Sequence, residues 1–233
     1  MKLILSITLV AIATTLLLSA NYFLEKINLR IHQNDIINQL GLYQIYALFI
    51  GLIFMLLSVY LFPQGKKYLK TGDLKRIAEK EKILGINGKS SWLKNGLQLS
   101  IFISLATGIY IALGVIYSNS TDHFKWYFIP YIFLFSINNS FVEEIIYRFV
   151  LISGLEGVLN KKFIMILSAL MFGIPHYFGN PGGAVGVIMS GMLGFILSKA
   201  SIETEGLSIA WFIHFLQDLI IFTGIFMMSF KSL

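Results

Sequence analysis

The sequence has no cysteine and little charge. It contains 233 residues, of which 13% are Asp, Glu, Lys or Arg, whereas soluble domains carry about 25%. The lack of cysteine excludes disulfides, thiolate metal ligands and cysteine nucleophiles. Instead, 56% of the residues are hydrophobic, and the mean hydropathy is +0.76. This composition predicts an all-α, polytopic membrane helix bundle, and the length suits one compact bundle.

Seven apolar runs follow one another along the chain. Most are long enough to cross a hydrocarbon core of about 30 Å, because each helical residue adds about 1.5 Å. The runs cover residues 3–19, 41–62, 97–118, 126–153, 163–178, 184–198 and 207–230. We therefore expect seven transmembrane helices, or eight if Ser140 and Glu143 form a capping box that starts another helix inside the fourth run. The first run resembles a signal peptide, but Leu18 fits a cleavage site after Ala20 poorly, which favours a retained helix.

Positive charge is concentrated between the second and third runs. Nine of the 18 Lys and Arg residues lie within residues 63–95, and the positive-inside rule places this segment in the cytoplasm. The same rule assigns to the cytoplasm the loops that contain Lys2, Lys161, Lys162 and Lys199. It assigns NSTDH (119–123) and GNPGG (179–183) to the other side of the membrane. Lys231 follows the last run and falls on that other side as well, so it opposes the assignment.

The chain is predicted to form one structural unit with two parts. Residues 1–124 provide N-terminal transmembrane helices and a basic cytoplasmic loop at 63–96, and residues 125–230 form a C-terminal helix bundle. The net charge of +6 is then explained by the orientation of the chain in the membrane and by contact with anionic lipid headgroups, not by nucleic-acid binding.

Strongly polar residues occur inside three of the C-terminal runs. If these runs pack as antiparallel helices, the polar residues lie roughly 10–21 Å from the cytoplasmic surface. Ionisable groups at such depth face the bundle interior or a wet cavity and mark functional sites. The residues are Glu143, Glu144 and Arg148 in the fourth run, His176 in the fifth, and His214 and Asp218 in the last.

The local spacing separates the two glutamates. Glu144 and Arg148 are four residues apart on one helix face, which predicts a neutralising ion pair. Glu143 is rotated by about 100° from Glu144 and is left free to act on a ligand. Asn138 and Asn139 are interpreted as hydrogen-bonding groups between helices.

Two further spacings concern the histidines. Pro175 precedes His176 and removes a helical hydrogen bond, which opens the helix for water and substrate. His214 and Asp218 share a helix face, as a catalytic or a structural pair. Glu203 and Glu205 are interpreted as part of a solvated loop.

In this order the motifs resemble those of the CPBP family of CAAX prenyl proteases and bacteriocin-processing enzymes, also called the Abi family. The motifs are Glu-Glu-x-x-x-Arg at 143–148, Phe172-x-x-x-His176 and His214-x-x-x-Asp218. The similarity covers roughly residues 125–220. Two positions depart from the pattern: Phe149 stands where glycine is common, and Asp218 stands where the eukaryotic prenyl proteases have asparagine.

The resemblance implies a multi-pass intramembrane endopeptidase of the bacterial cytoplasmic membrane. Glu143 and His176 would activate water in a cavity facing the cytoplasm, and His214 would lie on the oxyanion side. An ionised Asp218 cannot donate a hydrogen bond as asparagine does, so it is expected to be protonated, to orient His214 or to bind a metal.

Metal dependence stays open, because descriptions of the family differ on it. A site of Glu143, His176, His214 and Asp218 is acceptable for zinc, although the HExxH motif of zincins is absent.

Two other functions stay open. A proton- or cation-coupled transporter would use Glu143, His176 and Asp218 as a relay, although no inverted repeat is evident. A catalytically silent scaffold, for example for bacteriocin immunity, would use none of them. A protease of this family acts on a peptide or protein, and both a prenylated protein and a leader peptide are compatible with the sequence, as is any oligomeric state.

Overall fold

The computed structural model describes residues 1–27, 29–118 and 124–228, and within them it is helical and contains no β-strand. The prediction of an all-α bundle is confirmed. NSTDH and Lys231 lie outside the described residues. The α-helices are α1 (Lys2–Leu18), α2 (Ala20–Ile27), α3 (Asp35–Leu61), α4 (Trp92–Ser118), α5 (Ile129–Glu144), α6 (Leu151–Leu155), α7 (Lys161–Gly173), α8 (Gly183–Thr204) and α9 (Ser208–Met228).

Local chemistry explains several helix boundaries. The Asn34 side chain accepts a hydrogen bond from the backbone N–H of Ile37 and so caps α3, with an N···O distance of 3.1 Å. Asn160 caps α7 in the same way through Phe163, at 3.0 Å. Pro130 lies in the first turn of α5, where its missing N–H removes no helical hydrogen bond.

Four helices, α3, α4, α8 and α9, are long and apolar enough to cross a membrane. The pair α1 and α2, bent by 45°, is a fifth candidate if it forms one span. Large side chains such as Phe49 and Phe102 are exposed on α3 and α4, as expected for surfaces that face lipid. The structure therefore supports a multi-pass membrane protein, but the predicted seven to eight spanning helices are not confirmed.

A continuous helical segment runs from α5 to α6 through a wide π-helical turn, Ile145–Val150. Every residue of this turn is buried, including Phe149, which occupies the core. Ser140 lies inside α5, where its hydroxyl donates to the Ser136 carbonyl at 2.6 Å. The predicted capping box is therefore wrong, because the helix begins well before Ser140.

The basic segment, residues 63–91, packs over one end of the bundle, which we call the basic end. Its contacts there are Lys67 with Glu156 at 2.7 Å, Glu79 with Lys161 at 2.9 Å, and the Asp73 N–H with the Thr204 carbonyl at 2.7 Å. Ser6, near the start of α1, lies against Gly154 at the same end.

The Lys161 ammonium holds the pKa of the Glu79 carboxyl below its ordinary value. The loops that the charge pattern assigned to one side do share one end.

Glu203 ties the basic segment to the bundle. Its carboxylate pairs with the Lys199 ammonium on the same helix, and both side chains are 3% exposed. It also accepts hydrogen bonds from the Trp92 indole N–H at 2.8 Å and the Glu79 backbone N–H at 2.9 Å. The prediction of a solvated loop is wrong for Glu203, because α8 continues past it, whereas Glu205 is exposed.

Replacing Glu203 tests this connection. In Glu203→Gln the Lys199 ammonium stays buried without its partner, so we expect the free energy of unfolding to fall by about 3–5 kcal/mol. Titration with SDS in mixed micelles measures this fall, and faster tryptic cleavage of the basic segment should accompany it. In the control Glu205→Gln, which removes an exposed pair with Lys67, the loss should stay below about 1 kcal/mol. Equal losses in both variants would contradict the role of Glu203.

Candidate active site

A cavity of about 540 Å³ lies among α3, α5, α7, α8 and α9. Glu143, His176, His214 and Asp218 all line it. The other predicted residues, Glu144 and Arg148, lie buried behind its wall. The structure thus brings the six polar residues from three sequence-distant helical segments to one place.

Glu144 connects Arg148 to His214. Its Oε1 atom lies 2.9 Å from Arg148 Nη2 and 2.8 Å from His214 Nδ1. Neither Glu144 nor Arg148 is more than 1% exposed, so each charge depends on the other for compensation. The Arg148 guanidinium also lies over the Phe172 ring, 4.3 Å from its centroid. The predicted ion pair is confirmed, and it holds one nitrogen of His214.

Glu143 and Asp218 approach the other nitrogen of His214. Glu143 Oε2 lies 3.4 Å from His214 Nε2, and Asp218 Oδ1 lies 3.7 Å from the same atom. Glu143 Oε2 is buried and has no hydrogen-bond partner in the described residues. One carboxylate oxygen of Glu143 is therefore left for a ligand.

Asn139 joins the two carboxylates and was missed as a site residue. Its amide Nδ2 donates to Glu143 Oε1 at 3.2 Å and to Asp218 Oδ2 at 3.1 Å. The four-residue spacing from Asn139 to Glu143 was the available signal. Asn138 does link helices as predicted, because its amide donates to the Gln44 backbone carbonyl at 2.9 Å.

His176 lies in a 3-10 turn, Ile174–Phe178, that follows α7. The α-helix ends at Gly173, two residues before Pro175, as the proline predicted. His176 Nδ1 donates to the Phe172 carbonyl at 2.6 Å, which leaves Nε2 free of this bond. The Phe172 ring packs against both His176 and His214, with centroid distances of 4.6 and 5.4 Å. Phe172 thereby fixes the imidazoles relative to Arg148.

A close approach between α7 and α8 supports the position of His176. A Cβ atom on Gly173 would lie 2.7 Å from the Val187 carbonyl oxygen and 3.0 Å from the Gly191 Cα atom. Glycine is required here because the backbone of α8 occupies the space that a side chain needs. The contact lies three residues before His176 and holds the end of α7 against α8.

The N-terminal half supplies part of the cavity wall, which the motifs did not indicate. Gln39, Tyr43 and Gln44 of α3 and Asn21 of α2 line the cavity. Gln39 and Tyr43 are four residues apart and share a face of α3. That polar spacing was the signal available in the sequence.

The four residues proposed as zinc ligands do not meet as a ligand set. Among the described residues, no group of three or more His, Asp or Glu side chains could hold a metal ion. We therefore derive no chemical step through a metal.

The buried arginine can be tested for stability. In Arg148→Met the Glu144 carboxylate keeps only His214 as a partner, so we expect the free energy of unfolding to fall by about 3–5 kcal/mol. The matched control is Arg30→Met, which removes the exposed Arg30–Asp35 pair and should cost less than about 1 kcal/mol. SDS titration of both purified variants measures the difference. A loss as small as that of the control would mean that Glu144 does not depend on Arg148.

The comparison with known families agrees with the motifs. Residues 125–220 match the family described as Type II CAAX prenyl endopeptidase Rce1-like, and they include every cavity residue from Asn139 to Asp218. Searches of curated proteins and of solved structures returned no match. Residues 125–220 are therefore similar to the Rce1-like CAAX prenyl endopeptidases, and this match supports a CPBP/CAAX family protease.

Proposed function

We propose that this chain is an intramembrane endopeptidase of the bacterial cytoplasmic membrane that uses Glu143 and His176 to activate water. The family match supports a protease that acts on a peptide or protein. The observation that carries the mechanism is the buried Oε2 atom of Glu143, which forms no hydrogen bond within the described residues and lies in a cavity that His176 also lines. Such an atom can accept a hydrogen bond from a water molecule held between the two side chains.

In the proposed reaction, Glu143 acts as general base. The water oxygen attacks the carbonyl carbon of the scissile bond while one water proton passes to Glu143. The same proton then reaches the leaving nitrogen as the C–N bond breaks. His176, held through Nδ1, presents Nε2 to orient the attacking water.

His214 is assigned the role of stabilising the oxyanion. Its Nδ1 atom is held by Glu144, so its Nε2 atom faces the cavity carboxylates. When protonated at Nε2, the imidazole donates a hydrogen bond to the negative oxygen of the tetrahedral intermediate. Asp218, which accepts from Asn139 and lies beside Nε2, is assigned the role of orienting His214.

Glu144 and Arg148 are proposed as positioning residues. Neither side chain lines the cavity, and both act through His214 and Phe172. The helical segment 129–155 and the segment 161–178 are proposed to lie within the membrane as well. With a retained α1 and the four long helices, this gives seven crossings.

Removing the proposed base tests the mechanism. Glu143→Gln keeps the size of the side chain but cannot take a proton, so we expect peptide cleavage to fall by about 10²–10⁴-fold. Purified protein in detergent and a library of fluorescence-quenched peptides provide the measurement, with the unfolding transition as a check of folding. Glu205→Gln, an exposed change, is the control and should keep full activity. Activity retained in folded Glu143→Gln would overturn the assignment.

Metal dependence is tested separately. We expect the purified enzyme to keep its activity after dialysis against EDTA, because the described cavity residues form no group that could hold an ion. Elemental analysis of the active protein should then show well under one equivalent of zinc. Loss of activity on dialysis, with recovery on adding zinc alone, would establish the metal-dependent alternative.

A further inference from the structure

The cavity and the basic segment lie at opposite ends of the bundle. On α3, the lining residues extend from Ile36 to Gln44, whereas the basic segment follows the other end of that helix, Leu61. At the helical rise, Gln39 lies about 33 Å along the helix from Leu61. We call the end that carries these lining residues the cavity end.

The other helices also place the cavity and the basic segment at opposite ends of the bundle. The loop that includes Asn180 and Pro181 lines the cavity, at the opposite end of the α7 segment from Lys161, which pairs with Glu79 of the basic segment. On α9, the lining reaches Ile225, far from Leu207, which bonds to the Lys70 carbonyl. Glu143 itself lies about 18 Å along the helix from Leu155 at the basic end.

Exposed aromatic side chains surround the cavity end. They belong to α2, to the turn before α5 and to the 3-10 turn after α7. Tyr and Trp collect at the membrane–water interface, where the ring is apolar and its polar group is wet. The residues are Tyr22, Phe23, Trp126, Tyr127, Tyr177 and Phe178. These side chains place an interface next to the opening, where Gln39 and Asn180 are exposed.

The charge pattern assigns a side to each end. Nine Lys and Arg residues of segment 63–95 lie at the basic end, together with Lys2, Lys161 and Lys162. Of the described residues near the cavity end, Lys26, Arg30 and Lys125 carry positive charge. The positive-inside rule therefore places the basic end in the cytoplasm, and a cavity that opens at the other end cannot also face the cytoplasm.

We propose that the cavity opens at the outer face of the membrane and takes its substrate from there. The substrate class is then an extracytoplasmic segment of an exported or membrane-anchored polypeptide, not a cytoplasmic C-terminus. The choice of substrate rests on the proposed protease function, whereas the sidedness of the opening does not. This assignment replaces the expectation of a cavity facing the cytoplasm.

The cysteine-free chain permits a direct test with single cysteines. Gln39→Cys and Asn180→Cys mark the cavity opening from two different elements, and Asn87→Cys marks the basic segment. All three positions are exposed and uncharged, so the charge pattern is unchanged. The probe is a membrane-impermeant maleimide, applied to spheroplasts of a bacterial expression host before and after permeabilisation.

We expect both opening variants to be labelled in intact spheroplasts and Asn87→Cys only after permeabilisation. Labelling of Asn87→Cys in intact spheroplasts would overturn the proposal. So would opening variants that react only after permeabilisation, or opening variants that never react although the folded protein is present.

The outcome is independent of catalysis. Labelling does not depend on proteolysis. The cleavage assay of Glu143→Gln does not depend on the side to which the cavity opens, because detergent exposes both faces of the protein. If both results are as expected, attachment of a bulky maleimide to Gln39→Cys should lower peptide cleavage at least tenfold, and attachment to Asn87→Cys should not. Equal cleavage by both labelled variants would show that the substrate does not enter through this opening.

Discussion

The charge of Arg148 is the constraint on which the site depends. The guanidinium is fully buried in a bundle whose outer surface is apolar, so the charge must be compensated within the protein. Glu144 compensates it, and the same carboxylate holds His214. Phe172, packed under the guanidinium, contacts both histidines. One buried cation thus fixes side chains from α5, α7 and α9 relative to one another.

The chain uses the same arrangement twice. Glu144 with Arg148 and Glu203 with Lys199 are buried acid–base pairs, each four residues apart on one helical segment. Each glutamate also binds a donor from another element, His214 in the first case and Trp92 in the second. A buried ion pair adds little net stability against an apolar replacement, but a missing partner is costly. The pairs therefore specify which elements meet: the first assembles the site, and the second attaches the basic segment.

Much of this arrangement was readable in the sequence, and the failures have physical causes. Composition and apolar runs identified the long helices but not α2, which lies between two runs, and spacing identified the Glu144–Arg148 pair. Asn138 and Asn139 have the same chemistry, and only a rotation of about 100° decides which one reaches the carboxylates. The burial of Glu203 was missed because α8 extends beyond its apolar run. The expectation of a cytoplasmic opening rested on depth alone, and a depth near the middle of the membrane is compatible with either side.

The wide turn Ile145–Val150 has a consequence for how this region can change in length. Such a turn contains one residue more than an ordinary α-helical turn. The extra residue is taken up within the turn, whereas an insertion or deletion in the regular helix on either side would rotate α6 by about 100° relative to the glutamates, and Gly154 would lose its contact with Ser6. Insertions and deletions can accumulate in the connecting loops, whereas descendants of this protein should inherit the segment from Asn139 to Leu155 at constant length.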